Sequence, residues 1–235
     1  MKKHLFFLMT LLCLGMMTLF SGCSKDDPKP TCRIITITPN AGTANNISYN
    51  TEGKISNITT GNTVTTYAYS GNNAVATTTT SGTFDSKRII TSNSNGLTIN
   101  MRTENDMAGT SWSNLAFEYS GTELIKQTST SSSGGTPDIT TVTWTGGNPT
   151  TITSGANVQT VEYYTDKPSQ TGDYWDIAQT LQGYRIIKAK NPIKSLFAGG
   201  SISNLDYVFD GDGKIITLNA TGASNITYNY QHQCN

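Results

Sequence analysis

One short pattern returns along most of this 235-residue chain: aromatic residues spaced two apart, a turn holding glycine, then an aliphatic residue. Tyr67-Ala-Tyr69-Ser-Gly71 leads to Val75, and Phe117-Glu-Tyr119-Ser-Gly121 leads to Leu124 and Ile125. Val142-Thr-Trp144-Thr-Gly146-Gly147 leads to Ile152, and Tyr207-Val-Phe209-Asp-Gly211-Asp-Gly213-Lys214 leads to Ile215. Tyr49 with Gly53, Lys54 and Ile55 is a weaker copy, and Tyr228-Asn-Tyr230 closes the series without a turn. Copies recur about every 20–25 residues, one hairpin plus its return, so the pattern predicts an array of hairpins.

Within a copy, side chains alternate with the period of a strand. Leu115, Phe117 and Tyr119 share one face, and Asn114, Ala116 and Glu118 share the other. Leu205, Tyr207 and Phe209 repeat this against Asp206 and Val208, as do Ile226, Tyr228 and Tyr230 against Thr227 and Asn229. Glycine at the turns supplies the positive φ that tight hairpins need. The expected fold is all-β: an antiparallel up-and-down meander of about fourteen strands closing into a barrel or strongly curved sheet, since closure removes exposed edges. A membrane-crossing barrel needs an apolar band facing lipid. Hydroxyl-rich faces such as Thr77 to Thr80 suit water.

One segment breaks the rhythm. Tyr174, Ile177, Ala178 and Leu181 fall at helical spacing, with Gly183 as a stop. Pro192, Lys194, Leu196 and Phe197 continue irregularly to Gly199 and Gly200. A short helix and loop near 173–200 is expected to plug the end or lumen of the curved sheet, and a binding lid is the alternative.

The start of the chain carries an address. Lys2 and Lys3 precede an uncharged apolar run over residues 5–20, then small residues lead to Cys23. That order is a secretory signal whose cleavage leaves Cys23 as the new N-terminus. The run is shorter than the roughly 20 residues of a transmembrane anchor, the alternative reading. Leu19-Phe-Ser21-Gly22-Cys23 resembles the bacterial lipobox, which implies a diacylglycerol on the Cys23 thiol. Ser24-Lys25-Asp26-Asp27 is similar to the acidic export signal of Bacteroidetes lipoproteins, which implies the outer face of the outer membrane. The expected organisation is a signal peptide over 1–22, a lipidated tether over 23–31 stiffened by Pro28 and Pro30, and one hairpin-repeat domain over 32–235.

Removing residues 1–22 takes Lys2 and Lys3 from sixteen basic residues, leaving fourteen against sixteen acidic. Basic residues do not cluster, which argues against nucleic acid as a partner. Charge is scarce, yet Ile, Val, Tyr and Phe persist at regular spacing, as folded strands require. Cys13 leaves with the signal and Cys23 takes the lipid. Cys32 and Cys234 remain, in an exported compartment that permits disulfides. A Cys32–Cys234 bridge joining the first and last strands is expected, and two free thiols are the alternative.

The turn-aromatic units resemble YD (Rhs-type) hairpin repeats, with Tyr-Ser, Tyr-Asn or Phe-Asp in place of the Tyr-Asp core. The chain after Cys23 is similar to a family of uncharacterised Bacteroidetes lipoproteins with a porin-like β fold. The resemblance implies a barrel-like structure and no established activity, and it carries over no catalytic residue.

Chemistry-bearing motifs are few. His4 lies in the signal, leaving His232, near the C-terminus. Asp210-Gly-Asp212-Gly-Lys214 resembles the front of a calcium loop, with Asp206 as a further oxygen donor, but lacks the distal glutamate. A plain Asp/Gly turn is the competing reading. The turn explains the motif better, so no cofactor is expected, and calcium at Asp210 and Asp212 is the minor alternative. Glu162, Asp166, Asp173 and Asp176 lie close in sequence, but no spacing marks an acid–base pair. For ligand contact the candidates are Trp112, in the polar context Thr110-Ser-Trp112-Ser-Asn114, and Trp175 with its neighbour Tyr174. Their flat faces suit sugar rings, although aromatics at this spacing also fill cores. The reading is a lipid-anchored, non-catalytic surface protein binding a glycan or protein. A structural partner of an outer-membrane complex is the alternative, and a hydrolase the remote one.

Overall fold

The structure, a computed structural model, describes residues 32–234 apart from 224. The signal, the lipidation site and the whole tether fall outside these residues. Sixteen strands form one closed antiparallel barrel in sequence order: β1(Cys32–Pro39), β2(Asn45–Tyr49), β3(Ile55–Thr60), β4(Thr63–Ser70), β5(Asn73–Thr80), β6(Thr83–Ser92), β7(Thr98–Glu104), β8(Trp112–Ser120), β9(Glu123–Ser131), β10(Asp138–Thr145), β11(Asn148–Ser154), β12(Asn157–Tyr163), β13(Ile193–Ala198), β14(Ser201–Phe209), β15(Ile215–Gly222) and β16(Ile226–Cys234). β1 lies beside β16 to close the ring, and the Asn40 N–H donates to the Thr227 carbonyl at 2.8 Å at that seam. The expected meander and closure hold, with two strands more than the fourteen anticipated.

One of the additional strands corrects the extent of the insert. Ile193–Ala198 is β13, so the irregular segment ends at residue 192 rather than near 200. Pro192 stops the loop, and Ile193 and Leu196 then pack into the barrel core. The helix α1(Tyr174–Gln182) forms where the spacing places it. Asp173 caps its first turn by accepting the Asp176 N–H at 3.0 Å, and Gly183 ends it in the left-handed region at φ 72°.

Register sorts the wall into two faces. Tyr67 pairs with Ala76, Tyr69 with Ala74, and Ala74 with Ile90, all facing inward. Two residues further along the same face, Thr65 meets Thr78 and Thr63 meets Thr80, with hydroxyl contacts of 2.9 and 3.1 Å. The inner wall is therefore apolar toward one mouth and hydroxyl-lined toward the other. Residues 164–192 enter at the apolar mouth and fill that half. Ile177 packs against the side formed by β1–β5 and β12–β16, and Ile187 and Ala189 against the side formed by β5–β10.

The outer wall mixes polar and charged positions with exposed apolar ones such as Ile139, Val158, Phe197 and Ile202. Asp206, Asn219 and Thr227 lie side by side across β14–β16, and Glu118 sits beside Lys126 at 2.8 Å across β8–β9. Lys87, Glu104 and Arg102 form a cluster with contacts of 2.6 and 3.1 Å. Facing hydrocarbon, each such Arg or Lys would cost about 2–4 kcal/mol at mid-membrane. The strands also run only 5 to 10 residues, against the 9–11 of a membrane-crossing strand.

Candidate functional site

The aromatic repeat builds the rim of the plugged mouth. Near the turn end of six of the eight even strands, a Tyr or Trp side chain reaches back to a backbone carbonyl of the preceding odd strand. Tyr49 donates to Ile34 at 2.7 Å, Tyr69 to Ile55 at 2.9 Å, and Tyr119 to Thr98 at 2.7 Å. Trp144 Nε1 donates to Leu124, Tyr163 to Pro149 and Tyr207 to Ile193, at 2.7, 2.7 and 2.9 Å. His232 Nε2 stands in the same place on β16, 2.8 Å from the Ile215 carbonyl oxygen. The ladder is irregular here: bulges fall at Tyr49, Tyr119, Trp144, Tyr163 and Phe209. A bulge disrupts local pairing, and the aromatic donors serve these carbonyls at half-buried positions. Burial drives the Tyr69 hydroxyl up to about 12, so it stays a donor across the physiological range.

The insert is fastened to this rim by buried amides. Gln179 Oε1 accepts from the Ile186 and Ile187 N–H groups at 2.6 and 2.8 Å, and its Nε2 donates to Trp175 and Ile187 carbonyls at 3.0 Å. Asn148 and Asn191 exchange two 2.9 Å hydrogen bonds. The Thr98 N–H donates to the Arg185 carbonyl at 2.6 Å. Arg88, from the inner wall, donates to the Gln182 carbonyl and places a cation at the helix C-terminus, which lacks one of its own. Asp173 is fully buried; burial pushes its carboxyl up, against the lowering by hydrogen bonds from Ser169 and the Asp176 and Gln170 amides.

Two cavities remain where plug and rim meet. The larger, about 570 Å³, is lined by Tyr49, Tyr69 and Tyr184, by Asn72 and Asn73, and by charged Arg33, Lys54, Arg185 and Asp176. The smaller, about 390 Å³, is lined by Trp175, Gln179, Ile187 and Lys188. Asp176 and Arg185, paired at 2.8 Å, line both. Both volumes fall in the range of small-molecule sites.

The residues singled out from sequence scatter over this frame. Trp175 lines the smaller cavity, its Nε1 donating to the Tyr163 hydroxyl at 3.3 Å, while Tyr174 packs edge-on against it at 5.5 Å and joins the core. Trp112 is elsewhere, on β8 beside Glu104, its ring under the Arg102 guanidinium at 4.5 Å. Asp210 accepts the Asp212 and Lys214 amides at 3.0 and 2.9 Å, and Lys214 Nζ contacts both carboxylates at 3.0 and 2.7 Å. Those oxygens are spent on a turn and an ammonium, and Asp206 accepts from the Tyr164 hydroxyl at 3.1 Å. No group of three His, Cys, Asp or Glu suited to a metal occurs among the described residues. Glu162 accepts from Ser195 at 3.1 Å, Asp173 caps the helix and Asp176 pairs with Arg185. Cys32 and Cys234 are both disulfide-bonded.

Sequence reasoning missed Arg33, Arg185, Tyr184 and the Asn72–Asn73 pair. Tyr49 and Tyr69 were visible only as members of the repeat, and nothing local marks the others.

The sequence matches no protein-family model and no curated protein. The fold is similar to that of solved structures. A porin-like protein from Bacteroides uniformis aligns with a TM-score of 0.62 at 17% identity, over 85% of this chain and 96% of that one. A porin-like protein from Bacteroides vulgatus aligns with a TM-score of 0.57 at 10% identity, over 85% and 98%. The likeness is one of fold.

Proposed function

We propose that this chain is an exported, non-catalytic binding module, held at the outer membrane by a lipid on Cys23, with its ligand site at the plugged mouth. The two cavities walled by tyrosine and tryptophan rings carry this reading. Flat aromatic faces take the apolar faces of sugar rings, and Asn72 and Asn73 offer amides to hydroxyls. Tyr49 and Tyr69 are set by their carbonyl latches, so little of their side-chain freedom is lost on binding. The charged clusters on the outer wall, Lys87 with Glu104 and Arg102 and Glu118 with Lys126, fit a tethered domain outside the hydrocarbon, and the lipobox-like sequence supplies the tether. Neither metal nor cofactor enters this reading.

Titration of the mature domain with a glycan panel, followed by tryptophan fluorescence, tests it. Trp175 reports on the smaller cavity, and Trp175→Phe should remove the response. No fluorescence or calorimetric change with any glycan counts against the site. The filled lumen favours a second reading, a structural partner of an outer-membrane complex. A membrane protein co-purifying with the wild type, undiminished by cavity substitutions, would favour that reading.

A further inference from the structure

We infer that the larger cavity takes an acidic saccharide, a sugar ring bearing a carboxylate, with the Arg33 guanidinium as its anion partner. This rests on the binding reading above and names the ligand class for the same site.

The charges lining the cavity do not balance one another. Asp176 Oδ1 accepts from Arg185 Nη2 at 2.8 Å and Oδ2 from the Gly172 N–H at 3.0 Å, so that carboxylate is matched. Lys54 lies 3.0 Å from Glu52. Arg33 has no carboxylate within ion-pair reach and donates no hydrogen bond among the described residues. It stacks instead on Tyr49, its guanidinium carbon 4.8 Å from the ring centroid. The Tyr49 hydroxyl is tied to the Ile34 carbonyl, so the ring is a fixed platform. Arg33 Nη1 lies against Gly53, whose turn carries Lys54 over Tyr69 at 5.2 Å.

A guanidinium held on an aromatic face with unspent N–H donors is the geometry that binds a carboxylate bidentately. Asn72 and Asn73 line the same cavity, and their side-chain amides make no hydrogen bond among the described residues. A cation on a fixed aromatic platform and open amides match the carboxylate and hydroxyls of one acidic sugar.

The test is calorimetric titration of the mature domain with glucuronate-, galacturonate- and sialate-bearing oligosaccharides and with their methyl esters, which keep the ring and remove the charge. The acid should bind about tenfold tighter than its ester, the scale of one charge-assisted hydrogen bond, with the gap closing at high salt. Arg33→Ala should remove that gap and leave ester binding in place. Should Arg33→Ala not fold, Lys54→Glu on its half-exposed turn should weaken acid binding several-fold, and no loss there overturns the inference. Equal binding of acid and ester overturns the acidic assignment and leaves the binding reading standing. Binding of none overturns both.

Discussion

The Tyr69 hydroxyl donates a 2.9 Å hydrogen bond to the carbonyl of Ile55, fourteen residues back and in the neighbouring strand. Five other hairpins repeat the contact with their own Tyr or Trp. The repeat visible in the sequence is thus a hydrogen-bonding device as well as an apolar one. Removing a donor leaves a half-buried carbonyl without its partner, at a cost of about 1–3 kcal/mol. Tyr207→Phe is expected to lower the melting temperature by several degrees, at about 2–4 °C per kcal/mol for a domain this size. Tyr230, whose buried hydroxyl has no partner among the described residues, is the control. Tyr230→Phe should be neutral or stabilising, and equal losses in both variants would refute the latch.

Gly183 is required twice over. Its φ of 72° disfavours a side chain, and an added Cβ would meet the Tyr67 hydroxyl at 2.2 Å and its ring carbons at 2.5 and 2.6 Å. Gly183→Ala should destabilise by more than about 1 kcal/mol, read as a lower denaturation midpoint. Tyr67→Phe in that background should not restore it, because the ring atoms also clash.

Arg88 belongs to the wall yet serves the plug, by donating to the last helical carbonyl at Gln182. Arg88→Met should cost about 0.5–1 kcal/mol. Faster amide hydrogen exchange confined to α1 and the residues after it is the expected signature. Exchange rising uniformly over the barrel would contradict a local role.

Asp106 staples the turn before β8. The Ser111 and Thr110 backbone amides and the Thr110 hydroxyl hold its carboxyl down to about 2. A folded-state value below the unfolded one means the contribution is complete above about 4. It is lost as the pH falls through about 2. Trp112 follows this turn directly, so its fluorescence should shift over that acid window in the wild type and not in Asp106→Asn. A shift of the same midpoint in the variant would assign it to another group.

A Cys32–Cys234 bridge would close almost the whole described chain. In the chain-entropy model a loop of about 200 residues is worth roughly 4–5 kcal/mol. Intact mass should show no alkylation before reduction and two alkylated cysteines after it, with a lower melting temperature on reduction. A peptide map joining either cysteine to a different partner would overturn the pairing.

The linear sequence determined what depends on neighbours a few residues apart. Alternation fixed the dry face of each hairpin, glycines fixed the turns, and the spacing of Tyr174, Ile177, Ala178 and Leu181 fixed the helix with its stop at Gly183. A barrel or a strongly curved sheet was the expectation, and the pairing around the ring decided for closure. The plug was legible as an interruption, but its end was not, since Ile193–Ala198 becomes a strand only by pairing with Tyr163 and Ser201 and their neighbours. The tertiary structure alone decided the site. Arg33, Tyr49, Asn72 and Arg185 come from β1, β2, a hairpin turn and the plug. No local period records that meeting, because it arises from wrapping sixteen strands into one circle and folding a loop into its mouth.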